Sequence, residues 1–83
     1  MKTLPPDAVA VTVIGRDTLI VTFANDEKRQ FDLKPLLHRK CYEKLNDPLF
    51  VSQAEIQYGC VTWPGEIDID PEWLYEDSVA IVG

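Results

Sequence analysis

The sequence predicts an α+β fold: an antiparallel β-meander, an amphipathic helix, a second β-hairpin and a short C-terminal helix. Three observations carry this expectation. Apolar and polar residues alternate with a period of two through the first third of the chain. Between Leu37 and Leu45 the apolar period lengthens to four. Alternation then returns and stops at Asp70-Pro71, a pair that suits a helix start.

Residues 1–7 read as an extended lead-in, because Pro5-Pro6 lacks amide donors and favours polyproline geometry. Ala8 to Ile14 is a strand, with Val9, Val11 and Val13 alternating with Ala10, Thr12 and Ile14. Gly15-Arg16-Asp17 is a turn. Thr18 to Ala24 is a second strand, with Leu19, Val21 and Phe23 on one face. Asn25 to Lys28 is a polar connector. Arg29 to Leu33 is a third strand with Phe31 and Leu33 inward, and short turns make the three a meander.

Pro35 suits the first turn of a helix. Leu37, Cys41 and Leu45 then repeat at i, i+4, i+8, with Leu36 beside them, while His38, Arg39, Lys40, Glu43 and Lys44 face out. This predicts an amphipathic helix of about three turns. Asn46-Asp47-Pro48 ends it, and Asp47 is placed to cap a short turn at Pro48-Leu49-Phe50. Ser52 to Gln57 and Cys60 to Trp63 form a hairpin about Tyr58-Gly59. Pro64-Gly65 fits the centre of a type II turn. Glu66 to Ile69 alternates, acid out and isoleucine in. Asp70 caps a helix from Pro71 to about Asp77, with Ile69 and Leu74 spaced as a hydrophobic staple. Residues 79–83 are a tail or a final strand.

Eighty-three residues make one domain, with one small core and no room for a deep, dry cavity. Eight Lys and Arg against fourteen Asp and Glu give a net charge of −6, which opposes binding to phosphate backbones. Seven of the fourteen acids lie from Glu55 onward, and no Lys or Arg follows Lys44. The start of the chain lacks the apolar core of a secretory signal, and no run approaches the about 18–20 apolar residues of a membrane span, so a cytoplasmic location is expected. Cys41 and Cys60 are then expected to be small, buried, reduced thiols, although one disulfide is arithmetically available.

Few residues offer chemistry. Glu66, Asp68 and Asp70 would share one strand face, a weak candidate set for a hard cation or for acid–base work. The simpler expectation is that Asp70 caps its helix, that Glu66 and Asp68 are solvated, and that no metal or cofactor is held. His38 is the one base candidate near neutral pH, and it is expected to be an exposed surface histidine. Trp63, Trp73 and Tyr75 crowd the same turn. Aromatics at this density are first of all core, yet they are also the residues that anchor interfaces. Trp63, Glu66, Asp68, Trp73 and Tyr75 are therefore the partner-binding candidates. Lys34, Arg39, Lys40 and Lys44 form a small basic patch, read as a solvated helix face. No zinc-ligand spacing, nucleophile elbow or phosphate loop occurs.

The runs 19–23, 31–33 and 45–50, and above all the continuous run from Val61 to Tyr75, resemble the small bacterial domain-of-unknown-function family twenty-four forty-two. The resemblance spans about Ala8 to Ser78. It implies a compact α+β domain in the bacterial cytoplasm, without established enzyme activity or catalytic residues. Some members carry a C-terminal helix-turn-helix domain; no such motif is read in these 83 residues, so a role in transcriptional regulation is not expected from the resemblance. The usual neighbouring gene implies a two-protein module of toxin–antitoxin type.

Three functional readings follow. The first is a non-enzymatic, acidic protein-binding module, antitoxin-like, whose partner is the neighbouring gene's product. The second is a metal or small-molecule sensor built on Glu66, Asp68 and Asp70. The third is a self-associating structural unit, pairing through exposed sheet edges or through the apolar run 79–82.

Overall fold

The structure, a computed structural model, describes residues 6–81. Most of the lead-in expected at 1–7 and the end of the tail at 82–83 lie outside the described residues. The elements in chain order are β1 (Ala8–Ile14), β2 (Thr18–Phe23), β3 (Lys28–Asp32), two 3-10 segments (Lys34–Leu36 and Lys40–Asn46), α1 (Pro48–Val51), β4 (Glu55–Gln57), β5 (Cys60–Trp63), β6 (Ile67–Ile69), α2 (Pro71–Asp77) and β7 (Val79–Ala80). They form two antiparallel sheets, one ordered β1-β2-β3-β7 and one ordered β4-β5-β6. The α+β class, the meander, the second hairpin and the C-terminal helix are all present.

Alternation works as expected in the meander. Leu19, Val21 and Phe23 are fully buried beneath β2, with Phe31 and Leu33 beside them. Each such side chain contributes about 1.5–3 kcal/mol on burial, so this face anchors the core. Val61, Trp63, Ile69 and Leu74 bring the small sheet and α2 into the same cluster. β1 departs from simple alternation. Its register slips between Ala8 and Ala10, so Ala8 is buried while Val9 is 54% exposed. The tail resolves as a strand: Val79 pairs with Gln30 and Ala80 with Arg29.

The expected three-turn helix from Pro35 to Leu45 does not form. Arg39 is extended, at φ −89° and ψ 134°, and separates two short 3-10 segments. The buried residues here are Leu36, Tyr42 and Leu45, a spacing that no helix face provides. The Leu37–Cys41–Leu45 stripe carries little bulk, and a short isolated helix is marginal in water. Burying the Tyr42 ring gains more area. That ring meets Trp73 edge-on at 6.2 Å, and its hydroxyl donates to the Asp68 carbonyl at 3.0 Å. Cys41 is therefore exposed rather than buried, and Cys60 is half-buried; both are free thiols. The basic residues 34–44 sit on this irregular segment and not on a helix face.

Local signals hold where turn chemistry decides. The Asp47 side chain accepts from the Leu49 amide and caps α1. Ser52 and Gln53 continue from that turn, so β4 begins only at Glu55. Tyr58 and Gly59 both take positive φ, 53° and 77°, as the tightest hairpins require. Gly65 follows Pro64 with φ 89°. The Asp70 side chain accepts from the Glu72 and Trp73 amides, with Pro71 in the first turn, and both staple residues, Ile69 and Leu74, are fully buried.

Candidate functional site

Hairpin register builds the most distinctive surface. Glu55 lies opposite Thr62, and Thr62 opposite Asp68. Gln57 lies opposite Cys60 in the next row. Val61, Trp63 and Ile69 point inward and are buried, so the alternate residues face out. These outward side chains, with Tyr58 and Glu66 at the rim, line a shallow cleft of about 460 Å³. Its charged lining residues are Glu55, Glu66 and Asp68, with no Lys, Arg or His among the described ones.

The polar groups on this face are partly engaged with each other. The Gln57 amide donates to Glu55 Oε1 at 2.9 Å. The Thr62 hydroxyl lies 3.4 Å from the Glu55 carbonyl as a donor. The Cys60 thiol points at the Tyr58 carbonyl, 3.7 Å away. Burial pushes the Cys60 thiol pKa up, and the negative charges of Asp68, Asp70 and Asp7 push it further. The thiol is thus held in its protonated, weakly nucleophilic form at neutral pH. Beyond the Pro64–Glu66 turn, Lys40 and Lys44 border a second concavity with Cys41, Glu43, Gly65 and Ile67.

The structure separates several residues that the sequence grouped. Glu66 lies in the turn at φ 64° and not in the strand. The carboxylates of Glu66, Asp68 and Asp70 therefore do not share one strand face, and that of Asp70 is occupied by its helix cap. Among the described residues, no three His, Cys, Asp or Glu side chains are placed to hold a metal ion. Trp63 is core: it is 3% exposed, and its indole N–H donates to the Val51 carbonyl at 3.1 Å. Only its edge reaches the cleft.

Trp73 and Tyr75 lie away from the acidic face. Trp73 meets Phe31 edge-on, sits under the Arg39 guanidinium at 5.2 Å, and donates its indole N–H to the Asp77 carboxylate. Tyr75 meets Phe23 edge-on and donates to Glu27. His38 is exposed. Of the five partner-binding candidates, the structure brings Trp63, Glu66 and Asp68 to one cleft and removes Trp73 and Tyr75 from it. Glu55, Gln57, Tyr58, Cys60 and Thr62 were missed. The signal for them was the Tyr58-Gly59 turn, which fixes the register that sets Glu55 beside Thr62.

The fold and this face define a small two-sheet α+β domain with an open acidic surface on its smaller sheet. The family model described as a protein of unknown function, DUF2442, matches residues 8–80, and the chain belongs to that family. No curated protein and no solved structure matches it. No helix among the described residues is long and apolar enough to cross a membrane.

Proposed function

We propose that this protein is an acidic protein-binding module of the bacterial cytoplasm that engages a basic protein through the outer face of β4–β6. One observation carries the reading: three carboxylates, from Glu55, Glu66 and Asp68, line a single open cleft without a cationic side chain. Charge of one sign on a surface steers an oppositely charged partner and speeds its association. The role is non-catalytic. The nucleophile in the cleft, Cys60, has a raised pKa, and the cleft is shallow and open to water. In the two-gene arrangement implied by the family resemblance, this chain takes the antitoxin-like place and the basic neighbour is its partner.

The test is co-purification with the neighbouring gene's product at low salt, followed by calorimetric titration of the purified pair. Binding should weaken as salt rises, and Asp68→Lys with Glu55→Lys should weaken it by about tenfold or more, since like charges across an interface cost several kcal/mol. Binding that is indifferent to salt and to both substitutions would sink the proposal.

A further inference from the structure

We propose that β1 is a homodimerisation edge: it pairs antiparallel with β1 of a second copy of this chain about a two-fold axis at Thr12, joining the two four-stranded sheets. The strand ends the order β1-β2-β3-β7 and pairs with β2 alone; on its other side the Ala8 amide donates to the Gly59 carbonyl, and residues 10–14 have no strand partner among the described residues. An open edge presents unpaired amides and carbonyls, and proteins normally protect it with charges, proline or short length. The opposite edge, β7, is protected in this way, being two residues long. β1 is seven residues long and contains no charged residue and no proline.

The gap in charge extends further. From Ala8 to Asn25 the charges are Arg16 and Asp17 alone, both in the turn between β1 and β2. Two copies that each carry −6 repel one another on approach. A contact between copies is least opposed where the surface carries no charge, and β1 is that surface. A foreign strand would find no charge on β1 to recognise, whereas a second copy finds an uncharged match at every position.

The core is also left open on this side. Val11 and Val13 lie opposite Val21 and Leu19, on the inner face of the sheet. Val21 and Leu19 are fully buried, yet Val11 and Val13 are only half-buried. β4 and β5 approach the strand, yet among the described residues no strand pairs with residues 10–14 on the side away from β2.

Register decides the geometry. The bulge at Ala8/Ala10 and the bond from the Ala8 amide to the Gly59 carbonyl occupy the start of the strand. Residues 10–14 remain. Antiparallel self-pairing keeps inner faces together only when the axis passes through a residue, not between two. Thr12 gives the longest such overlap. Val11 of each copy then faces Val13 of the other on the inner side, closing the open flank. Ala10 faces Ile14, 52% exposed in one copy, and Thr12 faces Thr12 on the outer side. Such aliphatic and Thr–Thr pairs are stabilising cross-strand neighbours. The contact is smaller than the about 800 Å² per partner of a standard interface, so the dimer should dissociate on dilution.

Sedimentation of the full chain over a dilution series tests this. The mass should rise from the 9.4 kDa monomer to twice that value as concentration increases. Thr12→Lys places like charges opposite each other at the axis, and should raise the dissociation constant by about tenfold or more. Because Thr12 is exposed, the circular dichroism of the diluted monomer should not change. Asp68→Lys should leave dimerisation intact, which separates this surface from the acidic cleft. Thr12→Cys, with Cys41→Ser and Cys60→Ser, should cross-link on mild oxidation, since directly opposed Cα atoms at about 4.5–5.5 Å suit a disulfide. A chain that stays monomeric at every concentration overturns the proposal, as does a dimer indifferent to Thr12→Lys or one that fails to cross-link. If the chain is monomeric and Thr12→Lys abolishes binding of the neighbouring gene's product, the edge receives that partner's strand and the self-pairing is wrong.

Discussion

The guanidinium of Arg29 lies over the ring of Tyr75, 4.4 Å from its centroid. The pair is held from both sides. Arg29 Nε donates to Ser78 Oγ at 2.8 Å, and Nη2 donates to the Ser78 carbonyl at 2.9 Å. Nη1 donates to Glu27 Oε2 at 3.0 Å, and the Tyr75 hydroxyl donates to that same oxygen at 2.9 Å. One arginine on β3 thereby ties the β2–β3 turn to the end of α2 and to the start of β7. A planar, five-donor head over an aromatic face is what this position requires.

Arg29→Lys should therefore behave as a non-conservative change. Lysine cannot reproduce the fork to Ser78 or lie flat on Tyr75. The expected loss is about 1.5–3 kcal/mol, the scale of one hydrogen bond with a charged partner, measured by urea unfolding. The loss should be local first. Amide exchange at Val79 and Ala80, which pair with Gln30 and Arg29, should accelerate more than exchange at Val21 in the meander.

The same network sets an acid limb in the stability curve. The Tyr75 hydrogen bond, then Arg29, holds the Glu27 carboxyl below its ordinary value of 4.5. A carboxylate whose folded pKa is depressed binds fewer protons in the folded state than in the unfolded one. Its contribution is present above about pH 4.5 and is lost as pH falls through the lower, folded value. Glu27→Gln should flatten this limb in pH-dependent thermal melts and leave the neutral-pH shape unchanged. An acid limb identical in the variant and the parent would show that other carboxylates dominate.

The sequence was most legible where a few adjacent residues decide the backbone. Asp47 and Asp70 as caps, Tyr58-Gly59 and Pro64-Gly65 as turns, and Leu19–Val21–Phe23 as an inner face all follow from local chemistry. It was least legible where a distant contact wins. The 34–46 segment carries a helical period, but Tyr42 reaches Asp68, 26 positions away, and that tertiary contact overrides a weak local preference. Trp73 and Tyr75 are near Trp63 in sequence. In space they belong to the meander, through Phe31 and Arg29. The acidity of the second half of the chain was visible in composition. The face that gathers Glu55 with Asp68 depended on register across two hairpins, and Glu66 left the strand because its φ is positive.

The two thiols should be distinguishable by reagent. Cys41 is exposed, whereas Cys60 is half-buried and its pKa is raised by burial and by the charges of Asp68, Asp70 and Asp7. The thiolate is the reactive form. With an aromatic disulfide reagent at neutral pH, one equivalent should react quickly and the second measurably more slowly, because the half-buried thiol offers less access and less thiolate. Cys41→Ser should remove the fast phase. Asp68→Asn should hasten the slow one.

Asp68 and Asp70 stand two residues apart and should respond oppositely to substitution. The Asp70 side chain accepts from the Glu72 amide at 2.9 Å and from the Trp73 amide at 3.4 Å, so it satisfies donors at the start of α2 that have no partner within the helix. Asp70→Ala should cost about 1 kcal/mol, the usual size of a lost N-cap, and should loosen α2, whose Leu74 is fully buried in the core. Asp68 is exposed on the outer face of β6, and its backbone carbonyl, not its carboxylate, receives the Tyr42 hydroxyl. Asp68→Ala keeps that carbonyl and should change stability by no more than about 0.5 kcal/mol, while weakening a basic partner. Paired urea titrations of the two variants decide the matter. If Asp68→Ala proved the more destabilising, its carboxylate would be structural, and the acidic cleft would lose its central free charge as a binding surface.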